Sequence, residues 1–154
     1  MSTPRFDTVP GISPLFLSDT DPSIEIIDPD GTPNRVIEAA VGFTVRVTWE
    51  LKGLIAPLIA NTWHARLFAQ ALGTAGLTGK LVDTTAVSAA PIGGGGVRFS
   101  ALLPVSSAQT AAMHDAEGDG VYQLVVVVSH VNSMHHRDTM AGFSTTVRID
   151  VRQP

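Results

Sequence analysis

The chain has 154 residues, of which 44% are hydrophobic and 16% charged, and its net charge is −4. This length predicts a single domain with a core of its own. The negative charge argues against the basic surface that nucleic-acid binding needs, and the absence of cysteine excludes disulfides, thiol catalysis and cysteine-ligated metal clusters.

Residues 1–22 contain four prolines and no apolar run of the signal-peptide type. Because proline lacks a backbone N–H, we expect this stretch to be a surface arm, followed by one domain at 23–154. The apolar run 124–128 is far shorter than the ~20 residues of a membrane span. We therefore expect no membrane insertion, and a cytoplasmic chain or one within a larger soluble assembly.

The clearest strand signal is at 43–52, where apolar and polar residues alternate without a break. That period places one face of a strand in a core and the other in water. A shorter strand is predicted at 23–27, ended by the turn sequence of 28–31. Residues 35–40 are predicted to be extended.

The connection that follows the 43–52 strand is unusually apolar for a loop. Its apolar residues are Leu54, Ile55, Leu58 and Ile59. Connections normally run over the surface and are polar. Two interpretations stay open: the loop folds back over the end of the core, or it contacts another subunit or a protein partner.

Residues 62–72 fit two periods. As a helix they would place Trp63, Leu67 and Ala71 on one face, and their alanine content favours that interpretation. As a strand they alternate from Trp63 onward. We favour the strand, because the segments on both sides are predicted strands and sequential strands tend to pair.

The middle of the chain predicts a hairpin and a helix. An edge strand is expected at 80–88 and another strand at 97–103, with the glycine run 93–96 as the loop between them. No Lys-Ser/Thr pair follows the glycines, so a phosphate-binding loop is not expected. Residues 106–114 suit a short helix capped by Ser106 or Ser107.

The C-terminal part predicts two more strands. Residues 121–130 are rich in β-branched residues with apolar side chains at consecutive positions, which is typical of a central strand. A polar loop is expected at 131–141, and 142–151 alternates as a closing strand.

This order resembles an immunoglobulin-like or fibronectin type III-like domain. In the resemblance, strands B, C, E, F and G are 43–51, 63–71, 97–103, 121–130 and 142–151. Trp63 stands early in strand C, and Tyr122 begins strand F as in a tyrosine corner, although Leu124 replaces the strand F cysteine of antibody domains. The resemblance implies an all-β, two-sheet immunoglobulin-like sandwich of about seven strands, with a short helix between E and F. It concerns the fold alone and implies no activity.

A histidine-rich loop at 130–138 is the main candidate for a metal site. Its side chains, together with one histidine at the start of strand C, are His64, His130, His135, His136 and Asp138. In the immunoglobulin-like order both segments lie at one end of the sandwich, and imidazole and carboxylate groups are ligands of zinc and related ions. The alternative is a polar hairpin tip.

An acidic turn precedes strand F. Asp115, Glu117, Asp119 and Gly120 match the first half of a calcium-binding loop, but Val126 stands where the bidentate glutamate belongs, which excludes an EF-hand. A looser calcium site and a plain acidic turn remain the two interpretations. No nucleophile–base–acid arrangement stands out.

The sequence predicts a non-catalytic binding or structural module with no cofactor, which contacts a protein partner or copies of itself. Its low charge, its proline-rich N-terminus and Leu54, Ile55, Leu58 and Ile59 point that way. The first alternative is a metal-binding module or metal-dependent enzyme that uses a divalent ion at loop 130–138. The second is a carbohydrate-binding sandwich, which would need exposed aromatic side chains.

Overall fold

The computed structural model of the chain describes residues 5–7, 18–27, 35–38, 40–53, 63–72, 78–117, 120–131, 137–144 and 147–152. These residues form two β-sheets and one α-helix. The predicted all-β sandwich is confirmed. Within the described residues, no helix has the length and apolar character that a membrane span requires.

The first sheet has four antiparallel strands. In spatial order they are β2 (Ser18–Ile27), β4 (Phe43–Lys52), β8 (Gly96–Val105) and β7 (Val87–Ile92). Strand β4 is the predicted strand B, and its nine-residue register with β8 runs from Phe43↔Val105 to Leu51↔Val97. Pro22 lies where the register between β2 and β4 shifts, which is where an edge strand tolerates a residue without an N–H.

The second sheet is organised around one long strand, β9 (Gly120–Val131). On one side β9 pairs with β5 (Trp63–Ala71), and β5 pairs with β6 (Thr78–Thr84). On its other side β9 pairs with β10 (Arg137–Phe143) and with β11 (Val147–Arg152). Two short strands extend that edge: β1 (Arg5–Asp7) pairs with β10, and β3 (Val36–Glu38) pairs in parallel with β11.

The core lies between the two sheets. Alternate side chains of β4, β5, β8 and β9 are buried, as their two-residue period requires. Trp49 of the first sheet contacts Trp63 of the second, with ring centroids 5.5 Å apart, and Phe99 packs against both rings at 5.4 and 5.2 Å. Residues 63–71 are a strand, as predicted: they pair with β9 from Trp63↔His130 to Ala71↔Tyr122, and alternate side chains from Trp63 onward are buried.

Helix α1 (Ser107–Glu117) follows β8 and covers one end of the core. Ser106 caps it: its Oγ accepts from the Gln109 N–H at 3.2 Å, and Gln109 Oε1 accepts from the Ser106 N–H at 2.9 Å. This reciprocal pair is a capping box. The Tyr122 hydroxyl of β9 donates to the Met113 carbonyl at 2.7 Å, which ties the helix to the start of strand F as a tyrosine corner would.

The prediction of one continuous edge strand at 80–88 is wrong. The chain makes two edge strands there, β6 in the second sheet and β7 in the first. Thr84 and Thr85 turn the chain between them: the Ala86 N–H donates to Thr84 Oγ1 at 3.0 Å and the Val87 N–H to the Thr85 carbonyl at 2.9 Å. Threonine hydroxyls compete in this way with strand hydrogen bonds.

The polar loop expected at 131–141 and the continuous strand expected at 142–151 are also corrected. Strand β10 begins at Arg137 and ends at Phe143, and a separate strand, β11, starts at Val147. At the break Ser144 holds the edge of β9, because its N–H donates to the Val126 carbonyl and its Oγ accepts from the Val126 N–H, both at 3.0 Å.

Two parts of the predicted N-terminal arm are described. Residues 5–7 and 18–22 lie in β1 and β2, each at an edge of its sheet. The boundary placed between residues 22 and 23 stays a prediction.

Candidate functional site

One end of the sandwich brings together several chain turns, and we call it the apolar end. There β4 ends at Lys52, β5 begins at Trp63, β7 and β8 are joined by Gly93–Gly95, and β9 ends at Val131. The strand registers place these positions side by side, since Leu51 pairs with Val97 and Trp63 with His130. Helix α1 lies at the opposite end.

The aromatic cluster of the core lies just below the apolar end. Trp49, Trp63 and Phe99 are buried, and the partly exposed His130 ring meets Trp63 edge-on at 5.3 Å. Aromatic pairs of this kind contribute about 0.5–1.5 kcal/mol each beyond their buried area. The strand ends that carry the turns are therefore held firmly by the packing beneath them.

A cleft opens at this end beside edge strand β7. Its walls are Ala89–Ile92 and Gly95–Val97, and its volume is about 230 Å³. Ala89, Ala90 and Pro91 are exposed although Ala89 and Pro91 pair with the buried Phe99 and Val97. Strand β7 therefore carries apolar side chains on the inner side of its sheet that the described part of the second sheet leaves open to solvent.

Two stretches of the chain near this cleft lack charged side chains. No Asp, Glu, Lys or Arg occurs from 84 to 97, or from 53 to 65. The first stretch contains β7 and the glycine turn, and the second is the connection that leaves β4 and enters β5. Gly53 and Trp63, the described ends of the second stretch, thus lie at the same end of the sandwich as the glycine turn of the first.

The structure places two of the predicted metal ligands, His64 and His130, on neighbouring strands. Their side chains leave opposite faces of the sheet, because His64 pairs with Ser129 whereas His130 pairs with Trp63. His135, His136 and the side chain of Asp138 lie outside the described residues. Within the described part of the chain no three His, Asp or Glu side chains converge on a metal position, and the metal site of His64, His130, His135, His136 and Asp138 stays a prediction.

His64 instead contacts charged groups on the outer face of the second sheet. Its Nε2 lies 3.9 Å from Asp83 Oδ2 on β6. The Lys80 ammonium donates a 2.6 Å hydrogen bond to the same carboxyl. This hydrogen bond and the Lys80 charge lower the pKa of Asp83 below its usual range, and the charges of His64 and Arg66 lower it further. This cluster is a surface ion-pair network, which contributes little to stability.

The strand register also places Ser129 of β9 opposite His64 on that face, with Asp83 on the other side of β5. A hydrolytic triad would need the serine hydroxyl to donate to the imidazole. Ser129 Oγ is buried and makes no hydrogen bond to any described group. The arrangement therefore lacks the nucleophile–base contact, and the described residues show no catalytic constellation.

The predicted contact residues Leu54, Ile55, Leu58 and Ile59 lie outside the described residues. The two ends of their loop are described: Gly53 follows β4 and Trp63 starts β5, both at the apolar end.

Sequence reasoning missed the cleft on β7. The sequence signal for the cleft is the uncharged run from Thr84 to Val97, whose residues were predicted to form part of a strand and a loop. An edge strand normally carries charged side chains that discourage contact with other chains. An edge strand without charged side chains therefore indicates a contact surface.

No protein-family model matches the chain, and no curated protein matches it. Among solved structures, the C-terminal domain of Wzt is similar with a TM-score of 0.51 and 11% identity, over 90% of this chain and 74% of that one. A β-glucosidase from Listeria innocua has a TM-score of 0.42 and 11% identity, over 85% of this chain and 16% of that one. AggA, the major subunit of aggregative adherence fimbriae type I from Escherichia coli, has a TM-score of 0.30 and 14% identity, over 88% and 97%. The first likeness shows a shared fold; the other two are too distant to carry an argument.

Proposed function

We propose that this chain is a non-catalytic module that binds another protein through its apolar end. The observation that carries the proposal is that Gly53 and Trp63, the described ends of the uncharged stretch 53–65, lie at the same end of the sandwich as the turn within the uncharged stretch 84–97. Protein interfaces are depleted in charge at their cores, and exposed apolar surface on a folded domain commonly marks a contact site. Leu54, Ile55, Leu58 and Ile59 are the proposed contact residues.

The strand order supports an immunoglobulin-like identity for the module. Sheets β2-β4-β8-β7 and β6-β5-β9 with β10 and β11 correspond to strands A-B-E-D and C′-C-F-G of that architecture. In such domains the loops at one end commonly make the contacts. We propose that the contact is to a copy of the chain or to a component of a larger soluble assembly, in the cytoplasm or within that assembly.

The carbohydrate-binding alternative gains no support from the described residues. Phe43, Trp49, Trp63, Phe99 and Tyr122 are buried. Phe68 is partly exposed on the outer face of the second sheet, where the Arg66 guanidinium lies 5.9 Å from its ring centre. A sugar-binding platform would need aromatic rings free to stack on the ligand.

Co-purification from the native source tests the proposal. Tagged wild-type chain should enrich partner proteins, including untagged copies of itself, over a blank resin. Leu58→Asp should lose them, because a carboxylate in an apolar interface is costly to desolvate. Leu102→Asp is the matched control, since Leu102 is 54% exposed on the outer face of β8, away from the apolar end. The proposal is wrong if no protein is enriched or if Leu58→Asp retains the same set.

A further inference from the structure

The cleft beside β7 has the size and chemistry of a pocket for one apolar side chain. Its volume of about 230 Å³ is below the roughly 300–1,000 Å³ of sites for drug-sized ligands. It exceeds the ~150 Å³ of an apolar cavity that accommodates benzene. Aliphatic side chains and glycine backbone form its walls, without a charged group to orient a polar ligand.

Strand addition at β7 is a poor alternative to side-chain insertion. Pro91 has no N–H to offer an added strand. The Val87 N–H already donates to the Thr85 carbonyl at 2.9 Å. Two of the six residues of β7 therefore have no N–H available for an added strand. Backbone pairing at this edge is weak, and insertion of a side chain into the cleft is the better mode of contact.

The cleft adjoins the start of the apolar connection. A Cβ placed on Gly96, in the cleft wall, would lie 3.1 Å from the Leu51 carbonyl oxygen, only two residues before Gly53. The cleft and the ends of loop 54–59 therefore share one end of the sandwich. If two copies met there across a twofold axis, each could offer its loop to the other's cleft, which makes the contact isologous and doubles the apolar area it buries.

Charge favours this end over the rest of the surface for contact between copies. Each copy carries a net charge of −4, so two copies repel each other weakly overall. The stretches 53–65 and 84–97 contain no Asp, Glu, Lys or Arg. An apolar anchor in a fitted pocket is also the kind of contact that carries most of the free energy in an interface.

We propose that a second copy of this chain binds at the apolar end, with an apolar side chain of its loop 54–59 inserted into the cleft of Ala89–Ile92 and Gly95–Val97. This rests on the proposed function and deepens it, because it names both the partner and the pocket. The chain assembles as a twofold dimer, and both clefts are filled in the pair.

Sedimentation velocity over a concentration series tests the dimer. Wild-type chain should dimerise. Ala89→Trp and Pro91→Trp fill the cleft from exposed positions on the inner face of β7, and they should weaken dimerisation at least about tenfold, as loss of a central anchor does. Ala112→Trp is the matched control, since Ala112 is exposed on α1 at the opposite end, and it should dimerise as the wild type does. Melting curves establish that each variant is folded.

Cross-linking identifies the occupant. The chain has no cysteine, so a mixture of Ala89→Cys and Leu58→Cys chains can form a heterodimer disulfide only by contact between copies. We expect that product, and none from Ala112→Cys mixed with Leu58→Cys. A wild-type chain that stays monomeric, filled-cleft variants that dimerise normally, or equal cross-linking in both mixtures would each overturn the inference. None of these results affects partner loss by Leu58→Asp in co-purification, so the proposed function is judged separately.

Discussion

At the scale of single residues, the glycine turn shows how backbone freedom shapes the candidate site. Gly94 and Gly95 have φ values of 79° and 80°, in the left-handed region that a Cβ makes costly. Gly93 has no such angle, although the space around all three is open. Two of the glycines are therefore needed to close the hairpin between β7 and β8, and one is not.

Gly95→Ala should destabilise the protein by about 1–2 kcal/mol, because alanine resists a left-handed backbone. Gly93→Ala is the matched control, and it should be neutral or stabilise by up to about 1 kcal/mol, since it only restricts the unfolded chain. Urea denaturation of both variants measures the free energies of unfolding. Equal effects of the two substitutions would show that the turn conformation does not decide the outcome.

At the scale of elements, the closing strand predicted at 142–151 is divided at Ser144. There a side-chain hydrogen bond to β9 replaces a backbone hydrogen bond between strands. Apolar residues alternate from Phe43 to Leu51, and from Phe143 to Val151 they alternate with one threonine among them, Thr145, yet only the first run is one strand. In the second, Ser144 is fully buried, and its side chain takes the place of a strand residue opposite Val126. Side-chain oxygens of serine compete with backbone pairing in this way, and periodicity does not reveal it.

Ser144→Ala should lower the free energy of unfolding by about 1–3 kcal/mol, because the buried Val126 N–H loses its acceptor. Ser88→Ala, on the exposed side of β7, should change it by no more than about 0.5 kcal/mol. Chemical denaturation compares the two. A Ser144→Ala variant as stable as Ser88→Ala would mean that the break in the strand does not depend on this hydrogen bond.

At the scale of the whole molecule, the charged groups and the proposed contact surface are segregated. Four ion pairs of the described residues lie on the outer faces of the sheets: Arg46–Glu25, Arg98–Glu50, Lys80–Asp83 and Arg152–Asp150. The apolar end carries its uncharged stretches instead. The molecule can therefore remain dispersed through its charged faces while one end stays available for contact.

Because the proposed dimer contact contains no ion pair, its dissociation constant should depend little on salt. Between about 50 and 500 mM NaCl we expect a change of less than about threefold, in the direction of tighter binding, since salt screens the repulsion between two negative copies. Sedimentation at the two salt concentrations measures it. A tenfold weakening at high salt would instead require charged pairs across the interface.

The two-residue period of the sequence was sufficient to predict the sandwich and its central strands, because burial of alternate side chains is a local pattern within each strand. The helix between β8 and β9 was predicted from its capping serines instead. At 62–72 the period alone was ambiguous, and the strand with Trp63 was chosen because its neighbouring segments are strands. The tertiary structure decided three other features: the point where the chain passes from β6 to β7, the division of the last strand at Ser144, and the position of the cleft of Ala89–Val97. The physical reason is that a hydrogen-bond partner or an uncovered side chain depends on which strand lies alongside, and sequence period does not specify neighbours. The same limit separates His64 from His130: both lie at the apolar end, but the register that turns them to opposite faces exists only once β5 and β9 are paired.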